Sequence, residues 1–373
     1  MIHNRLFFGT GLRHFASENW LEFSKEQKDN KLDGFTNSPL YSTDAHMCEI
    51  VELTPGCMVK NWKIEEKVGE GGFGAVYKCV NEKNELYALK VEGKEEKVQL
   101  LKMEVYVLAE LGKFGGRHFC RIEDRGQEET FNFVVMTFVG MSLNDLRFKF
   151  PGKKFSYGTA ASVAIQALEA LEDLHGIGYL HRDVKPGNYT IGRPEVDELR
   201  KIYVLDFGMC RKFVHEDGTI KKPRPVAAFR GSLRYAPVSC HSKRELCRQD
   251  DCESWLYMVI EFTKGGLPWR NTTDMAKVGD EKRAARVSVA AGKRLFGGCP
   301  REYIDIMRVI DAGKFFEEPD YNKLYSLLRQ AIKNTCSNEY PYDWEEMFAD
   351  QVRNSKKHSS KQDKEGNGTQ SAE

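Results

Sequence analysis

The spacing of apolar residues changes once along the chain, from a pattern of strands to a pattern of helices. Between Trp62 and Val91, short apolar runs alternate with turn formers, as in GFGAVYKCV, NEKNE and LYALKV. This alternation predicts an antiparallel hairpin. The segment FNFVVMTFVG is rich in β-branched and aromatic residues and predicts a further strand. This part of the chain is therefore expected to be mainly β-structure.

Helical spacing dominates the later part of the chain. Between the predicted strands, EKVQLLKMEVYVLAEL predicts one amphipathic helix, because its apolar residues recur every three or four positions, at Val98, Leu101, Val105 and Leu108. Further on, TAASVAIQALEALEDLHG predicts a long helix that ends at Gly176, and DCESWLYMVIEF and YIDIMRVID predict two more. The pattern therefore predicts an α+β protein with a small strand-rich half, a larger helix-rich half and a hinge near residues 137–141.

The ends of the chain and its composition limit the possible classes of protein. Residues 1–57 show no sustained period and are expected to form an N-terminal extension; from Asn354 the tail is polar and is expected to be disordered. Lysine plus arginine number 56 and aspartate plus glutamate 55, so we expect neither a nucleic-acid nor a membrane partner. The ten cysteines include no Cys-x-x-Cys pair, which favours reduced thiols in a cytoplasmic protein, also present in the nucleus. The acid-free first seventeen residues weakly resemble a transit peptide, but their glycines favour a plain extension.

A glycine-rich segment gives the first chemical signal: Gly69-Glu70-Gly71-Gly72-Phe73-Gly74. Its backbone amides can approach phosphate groups because no side chain intervenes at the glycines. A dinucleotide-binding fingerprint has similar spacing, but there the last glycine opens a helix. Here the strand-like AVYKCV follows, so we predict a hairpin turn that covers a nucleotide. A glycine-rich turn without a ligand is the alternative.

The next strand carries a lysine in a suitable position. Ala88 and Lys90 share one face of that strand, since side chains alternate. A lysine directed inward beneath a phosphate-covering turn needs an anion, which the α and β phosphates of a nucleotide can supply. Glu104, on the following predicted helix, is suited to hold this lysine as an ion pair. Taken singly, a solvated edge lysine and a surface helix glutamate are the alternatives.

The most specific signal is an octapeptide followed by a tripeptide, His181-Arg182-Asp183-Val184-Lys185-Pro186-Gly187-Asn188 and Asp206-Phe207-Gly208. These segments resemble the catalytic loop and magnesium-binding triplet of protein kinases. Asp183 is suited to accept the proton of a substrate hydroxyl, and Asn188 and Asp206 offer the oxygen ligands that Mg²⁺ prefers. Lys185 can neutralise charge on the transferred phosphoryl group.

Together the motifs resemble those of the eukaryotic protein kinases over residues 58–335. The chain is similar to the casein kinase 1 group, particularly its tau-tubulin kinase branch, in the segments KMEVYVL, FNFVVM, HRDVKPGNY, VLDFG, FRGSLRYAPVSCH, RQDDCESWLYM, GLPWR and EPDYNKLYSLL. The resemblance implies a bilobal protein kinase fold with a β-rich N-lobe and an α-helical C-lobe, followed by a C-terminal extension at residues 336–373. It also implies a monomeric serine/threonine kinase domain that uses ATP and Mg²⁺ and acts on protein substrates.

The resemblance assigns further roles. It places the gatekeeper at Met136. Val76 and Ala88 would cap the adenine ring, and Asp145 would lie near the ribose. Residues 137–140 would form the hinge whose backbone meets adenine. Asp251 matches a buried aspartate that supports the catalytic loop. Arg182 is expected to support the same loop.

Substrate choice is the least constrained prediction. The usual Ala-Pro-Glu end of the activation segment is replaced by RYAPV at residues 234–238. Arg182, Arg230 and Arg234 are predicted to converge as an anion pocket that favours acidic or already phosphorylated sequences. Arginines paired with local carboxylates are the alternative. A nucleotide-binding scaffold with little turnover is the competing function, although such chains usually lack the lysine, the base or a magnesium ligand.

Overall fold

The computed structural model describes residues 51–71, 74–96 and 99–355. Several predictions concern residues outside these ranges. They are Gly72 and Phe73 of the glycine-rich turn, Val98 of the predicted helix, residues 1–50 of the N-terminal extension and the tail at 356–373.

The N-terminal half contains a six-stranded antiparallel sheet with the strand order β1-β2-β3-β4-β6-β5. Its strands are β1 (Met58–Val59), β2 (Trp62–Gly71), β3 (Gly74–Val80), β4 (Leu86–Gly93), β5 (Ile122–Gln127) and β6 (Phe131–Thr137). The predicted hairpin and the predicted strand at FNFVVM are therefore confirmed. Helix α1 (Leu100–Phe114) lies between β4 and β5, as expected, and ends at Gly115, whose φ is +82°.

The two faces of this sheet have different surroundings, because side chains alternate along each strand. One face carries the apolar core of this half, formed by Val59, Ile64, Ala75, Tyr77, Cys79, Leu89, Val91, Phe131, Phe133 and Val135. The positions in between point to the other face, where Lys90 of β4 meets Glu104 of α1. The apolar core of this half thus occupies one side, and the other side carries the ion pair of Lys90 and Glu104.

The C-terminal half is mainly helical. Its helices are α2 (Leu143–Phe148), α3 (Tyr157–Gly176), α4 (Val238–His241), α5 (Arg248–Lys264), α6 (Met275–Val287), α7 (Val289–Phe296), α8 (Glu302–Ala312) and α9 (Tyr321–Asn334). Two short antiparallel pairs accompany them, β7 (Tyr179–Leu180) with β10 (Arg211–Lys212) and β8 (Tyr189–Ile191) with β9 (Ile202–Val204). The α+β organisation predicted from the sequence is confirmed.

Helices α3 and α5 form the centre of this half. The indole N–H of Trp255 donates to the carbonyl of Ala164 over 3.0 Å and joins the two helices inside the core. Helix α3 ends at Gly176, as predicted, and Gly178 follows with a φ of +84°, which turns the chain into β7. The catalytic-loop sequence begins directly after β7, and its first four residues, 181–184, are buried.

Packing against this half continues beyond the predicted boundary at residue 335. Tyr342 and Trp344 are buried, and the indole N–H of Trp344 donates to the carbonyl of Leu199 over 2.9 Å. These aromatic side chains remove a large apolar area from water. The predicted C-terminal extension thus packs against the C-terminal half at least as far as Trp344.

Candidate active site

The face of the sheet opposite the apolar core carries the residues predicted to contact a nucleotide. In the strand register, Val76 of β3 lies opposite Lys90 of β4, and Ala88 of β4 lies opposite Met136 of β6. Directly opposed residues share a face of the sheet. The structure therefore brings these four residues together on one surface, where Ala88 and Met136 are buried.

The glycine-rich segment forms the connection between β2 and β3. Gly71 pairs with Gly74 in the strand register, and Gly72 and Phe73 between them lie outside the described residues. Among the described residues, no atom lies within 4 Å of a Cβ added at Gly69 or Gly71. Open space beside the backbone at these two glycines fits the close approach of phosphate groups.

Two other positions in this segment have contacts of their own. A Cβ atom at Gly74 would lie 2.0 Å from the carbonyl oxygen of Val91, so this position requires glycine for packing against β4. The carboxylate of Glu70 forms an ion pair with Lys67 at 2.5 Å, on the exposed surface of the hairpin. Gly74 thus has a packing role, and the side chain of Glu70 is held at the surface.

Lys90 lies where the two halves of the molecule meet. Its Nζ is 2.5 Å from Oε2 of Glu104 and 3.4 Å from Oδ1 of Asp206. Glu104 is buried and comes from helix α1, whereas Asp206 follows β9 in the C-terminal half. Burial alone would lower the pKa of Lys90, but the charges of Glu104 and Asp206 outweigh this effect and raise it above its ordinary value. Lys90 is therefore a fixed cation in the cleft.

Helix α1 is also held by a residue that the sequence reasoning missed. Oε1 of Glu92, on β4, accepts hydrogen bonds from the backbone N–H groups of Leu100 and Leu101 over 2.7 and 3.1 Å. The helix needs this partner, because the side chain of its N-cap residue, Gln99, makes no capping hydrogen bond. The period-two spacing from Lys90 to Glu92 could have indicated that both side chains face the same helix.

Asp183 lies in a loop with several partners for its carboxylate. Its Oδ2 accepts a hydrogen bond from Nζ of Lys185 over 2.6 Å, and its Oδ1 accepts one from the backbone N–H of Ser232 over 2.8 Å. Nδ2 of Asn188 donates to the Asp183 carbonyl over 2.9 Å. These contacts join the predicted base to the activation segment and to the next predicted ligand.

A buried carboxylate from helix α5 supports this loop. Oδ2 and Oδ1 of Asp251 accept hydrogen bonds from the backbone N–H groups of His181 and Arg182 over 2.8 and 2.9 Å. Nε2 of His175 lies 2.8 Å from the same Oδ2. Arg182 has a φ of +67°, a conformation that costs energy for a residue with a side chain. Asp251 thus stabilises a strained stretch of backbone just before Asp183.

Asp206 and Asn188 offer two oxygen ligands near Lys90. The amide nitrogen of Asn188 is used by the Asp183 carbonyl, which leaves its Oδ1 as the atom free to bind a cation. Burial would raise the pKa of Asp206, but nearby cationic groups, Lys90 foremost, hold it below its ordinary value. No group of three or more His, Cys, Asp or Glu side chains suited to a metal occurs in the described residues. The donor set fits Mg²⁺ that takes its other ligands from phosphates and water.

The predicted anion pocket is only partly assembled. Nε of Arg182 donates to the Met209 carbonyl over 2.7 Å. Burial, together with the charges of Arg211 and Arg230, lowers the pKa of Arg182 to about 10. Arg182 and Arg230 thus lie near each other, and the side chain of Arg182 is used to hold the backbone after the Asp-Phe-Gly triplet.

Arg234 is bonded to other groups, and two arginines that the sequence reasoning did not single out lie close to a shared carboxylate. Arg234 lies 3.6 Å from Glu261 and donates to the Arg270 carbonyl over 3.1 Å. This residue therefore fits the alternative in which an arginine is paired with a local carboxylate. Arg211 and Arg224 share the carboxylate of Glu245. Only the folded chain brings these groups of the activation segment together.

The segment between the two halves is bonded to the C-terminal half. Gly140 donates its N–H to the Ile191 carbonyl over 2.9 Å, so the predicted hinge is tied to β8. Asp145 lies exposed in the first turn of α2, where its N–H donates to Oγ of Ser142, the N-cap residue.

No helix in the described part of the chain has the length and apolar character to cross a membrane.

Comparison with known proteins agrees with this geometry. The family model described as protein kinase domain matches residues 62–311. The serine/threonine-protein kinase spe-6 of Caenorhabditis elegans is 38% identical over 290 residues, which cover 76% of this chain and 75% of that protein.

Two yeast proteins show similarity over the same region. Casein kinase I homolog 2 of Schizosaccharomyces pombe is 31% identical over 76% of this chain and 66% of its own length. Casein kinase I homolog 2 of Saccharomyces cerevisiae is 32% identical over 76% of this chain and 52% of its own length. These matches and the arrangement of the cleft show that the chain belongs to the protein kinase family, as a serine/threonine kinase of the casein kinase 1 group.

Proposed function

We propose that this kinase transfers the γ-phosphoryl group of Mg²⁺-ATP and that the polar residues of the cleft share the task. The observation that supports this most directly is the meeting of Lys90, Glu104 and Asp206, which come from the sheet, helix α1 and the C-terminal half. ATP supplies the group to be transferred, and Mg²⁺ neutralises its charge.

The residues around Lys90 would bind the nucleotide. Lys90 would bind the α and β phosphates, with Glu104 holding its ammonium in place. Asp206 and Asn188 would bind Mg²⁺ through carboxylate and amide oxygens. The open space at Gly69 and Gly71 would let backbone amides reach the phosphates.

The residues around Asp183 would act on the acceptor. Asp183 would take the proton of a serine or threonine hydroxyl, and the hydrogen bond from Ser232 fixes one of its oxygens for this purpose. Lys185, within 2.6 Å of the other oxygen, would neutralise charge on the transferred group. The substrate segment that carries this hydroxyl would therefore lie along the activation segment.

We further propose that acidic or already phosphorylated segments are favoured as substrates. Arg182, Arg211, Arg224 and Arg230 lie in one region, and this arrangement supports attraction of anionic groups. The tau-tubulin kinase branch, a monomeric domain and a cytoplasmic and nuclear location are also proposals, from sequence resemblance and the cysteine pattern.

Titration calorimetry with ATP tests the proposed magnesium ligands. Adding Mg²⁺ should tighten ATP binding to the wild type but have little effect in an Asp206→Asn variant. Asp280→Asn, whose side chain is 73% exposed on helix α6, is the matched control. Equal Mg²⁺ dependence in the wild type and Asp206→Asn would contradict the assignment.

Peptide kinetics test the proposed substrate preference. Arg224→Gln, which removes one of these four arginines, should lower kcat/KM on a phosphoserine-primed peptide more than on the unprimed peptide. Arg283→Gln on helix α6 serves as the control, because its side chain is 45% exposed and pairs with Asp280. Equal losses on both peptides would remove the preference from the proposal.

A further inference from the structure

Lys282, on helix α6, is a lysine with no exposed surface. Its Nζ donates to the carbonyl oxygens of Leu233 and Ala236 over 3.0 and 2.6 Å and lies 3.2 Å from Nε2 of His241. Among the described residues, these three hydrogen-bonding partners are all uncharged groups rather than carboxylates. Burying an ammonium is costly, so these contacts need a reason beyond packing.

Burial lowers the pKa of Lys282 to about 7, but its partners, two carbonyl oxygens and a nitrogen of a neutral imidazole, all accept hydrogen bonds and so favour the charged ammonium. Nδ1 of His241 lies 3.0 Å from the Met275 carbonyl and must carry the proton of that hydrogen bond, so Nε2 is the acceptor. Burial lowers the pKa of His241 to about 4, which keeps the imidazole neutral. The ammonium has three N–H groups, and the two carbonyls and Nε2 use all of them. The rings of Tyr257 and Trp269, 5.1 and 5.3 Å away, add cation–π attraction.

The backbone that Lys282 binds is the end of the activation segment, residues 232–236. At its beginning, the N–H of Ser232 donates to Oδ1 of Asp183. In its middle, the indole N–H of Trp269 donates to the Arg234 carbonyl over 2.8 Å. Three carbonyls of this short loop are therefore held by side chains from outside it, and its N–H at Ser232 is held by the predicted base. The loop is fixed between Asp183 and helix α6.

We propose that Lys282 is a positioning residue for the protein substrate: its ammonium holds the loop at residues 232–236 in the shape that presents an acceptor hydroxyl to Asp183. This inference rests on the proposed role of Asp183. Lys282 lies beneath the loop, with no exposed surface from which to contact the acceptor. Its effect on catalysis is exerted through the backbone of the loop.

Steady-state kinetics with a casein-derived peptide test this role. Lys282→Met should raise KM for the peptide by roughly tenfold or more, the effect expected when hydrogen bonds to a charged group are lost. KM for ATP and the slow hydrolysis of ATP by water should stay within about twofold, because loss of loop contacts does not alter the nucleotide residues. Hydrogen exchange at the amides of Tyr235 and Ala236, which both donate to the Ser232 carbonyl, should accelerate.

Two further variants keep the test decisive. Lys277→Met, on the same helix with a side chain 76% exposed, should behave like the wild type. Trp269→Phe removes the indole N–H together with part of the buried ring system, and it should shift peptide KM in the same direction, even if Lys282→Met does not fold. Unchanged peptide KM and unchanged exchange in both loop variants of an active enzyme would overturn the inference. A wild type without ATP hydrolysis or transfer would instead count against the proposed function.

Discussion

The catalytic loop and helix α1 each place a charged side chain in the cleft, but they are held by different means. Before Asp183, backbone N–H groups bind the buried carboxylate of Asp251 inside a single half of the molecule. Glu104 depends on helix α1, which β4 holds through the side chains of Lys90 and Glu92. The loop is thus fixed by its own buried backbone, whereas the position of the helix depends on two ionisable side chains. Single substitutions should therefore unfold the first region and displace the second.

The largest effect is expected at Asp251. In Asp251→Ala, the backbone N–H groups of His181 and Arg182 would lose their acceptor inside the core, beside the ring of His175. We expect the free energy of unfolding to fall by about 3–5 kcal/mol, the range for breaking a buried charged network. Urea denaturation would measure this, with Asp250→Ala on the same helix as a comparison. A loss below about 1 kcal/mol would show that the loop does not depend on this carboxylate.

Lys90→Met should separate activity from stability. We expect kcat/KM to fall roughly a hundredfold or more, because a cation that stabilises charge on the phosphates is removed. The free energy of unfolding should fall less than in Asp251→Ala, since burial raises the pKa of Glu104 and this carboxylate can take up a proton when its partner is lost. Parallel kinetics and urea denaturation would check both. If stability falls as strongly as in Asp251→Ala, the contrast between the two regions is wrong.

Glu92 should give the smallest effect, with a clear pH dependence. Burial raises the pKa of Glu92 from 4.5 to about 7. Between these values the folded chain keeps a proton that the unfolded chain has lost, so this residue's contribution to stability falls as pH rises through that window. Glutamine cannot ionise. The stability of Glu92→Gln relative to the wild type should therefore improve by about 2–3 kcal/mol between pH 5 and pH 8.

The surroundings of Glu92 explain why glutamine fits. Its Oε2 and Oδ1 of Asn132 are both buried, and neither has a hydrogen-bond partner in the described residues. The two residues lie opposite each other on β4 and β6, so an amide N–H in place of Oε2 is suited to donate to Asn132. Urea denaturation of both chains at the two pH values is the measurement. A difference that does not vary with pH would show that Glu92 is ionised throughout.

The predicted strands and helices were confirmed where apolar spacing is regular. Short local motifs also singled out Lys90, Asp183 and Asp206 as candidate site residues, and their roles stay predictions. The brace at Asp251 came only from family resemblance, because no local pattern links it to a loop about seventy residues earlier in the chain.

Other contacts could not be predicted from the sequence, because one partner in each is a backbone group or is brought close only by folding. Lys282 binds two carbonyl groups 46 and 49 residues away. Every residue has a backbone carbonyl, so the sequence does not indicate which ones a side chain binds. The burial of Trp344 beyond residue 335 was missed for a related reason, since a few aromatic residues in a polar stretch show no period. Glu245, shared by Arg211 and Arg224, likewise becomes a partner only through folding.

Transfer of radiolabelled phosphate from Mg²⁺-ATP to casein, compared between the wild type and an Asp183→Asn variant, is the most direct test of Asp183 as the base. We expect the wild type to label serine and threonine residues. The variant should lose roughly 10²- to 10⁴-fold in kcat, the contribution of a general base, while its thermal unfolding stays close to that of the wild type. Transfer by a folded Asp183→Asn protein at the wild-type rate would contradict the assignment of the base and, with it, this account of the cleft.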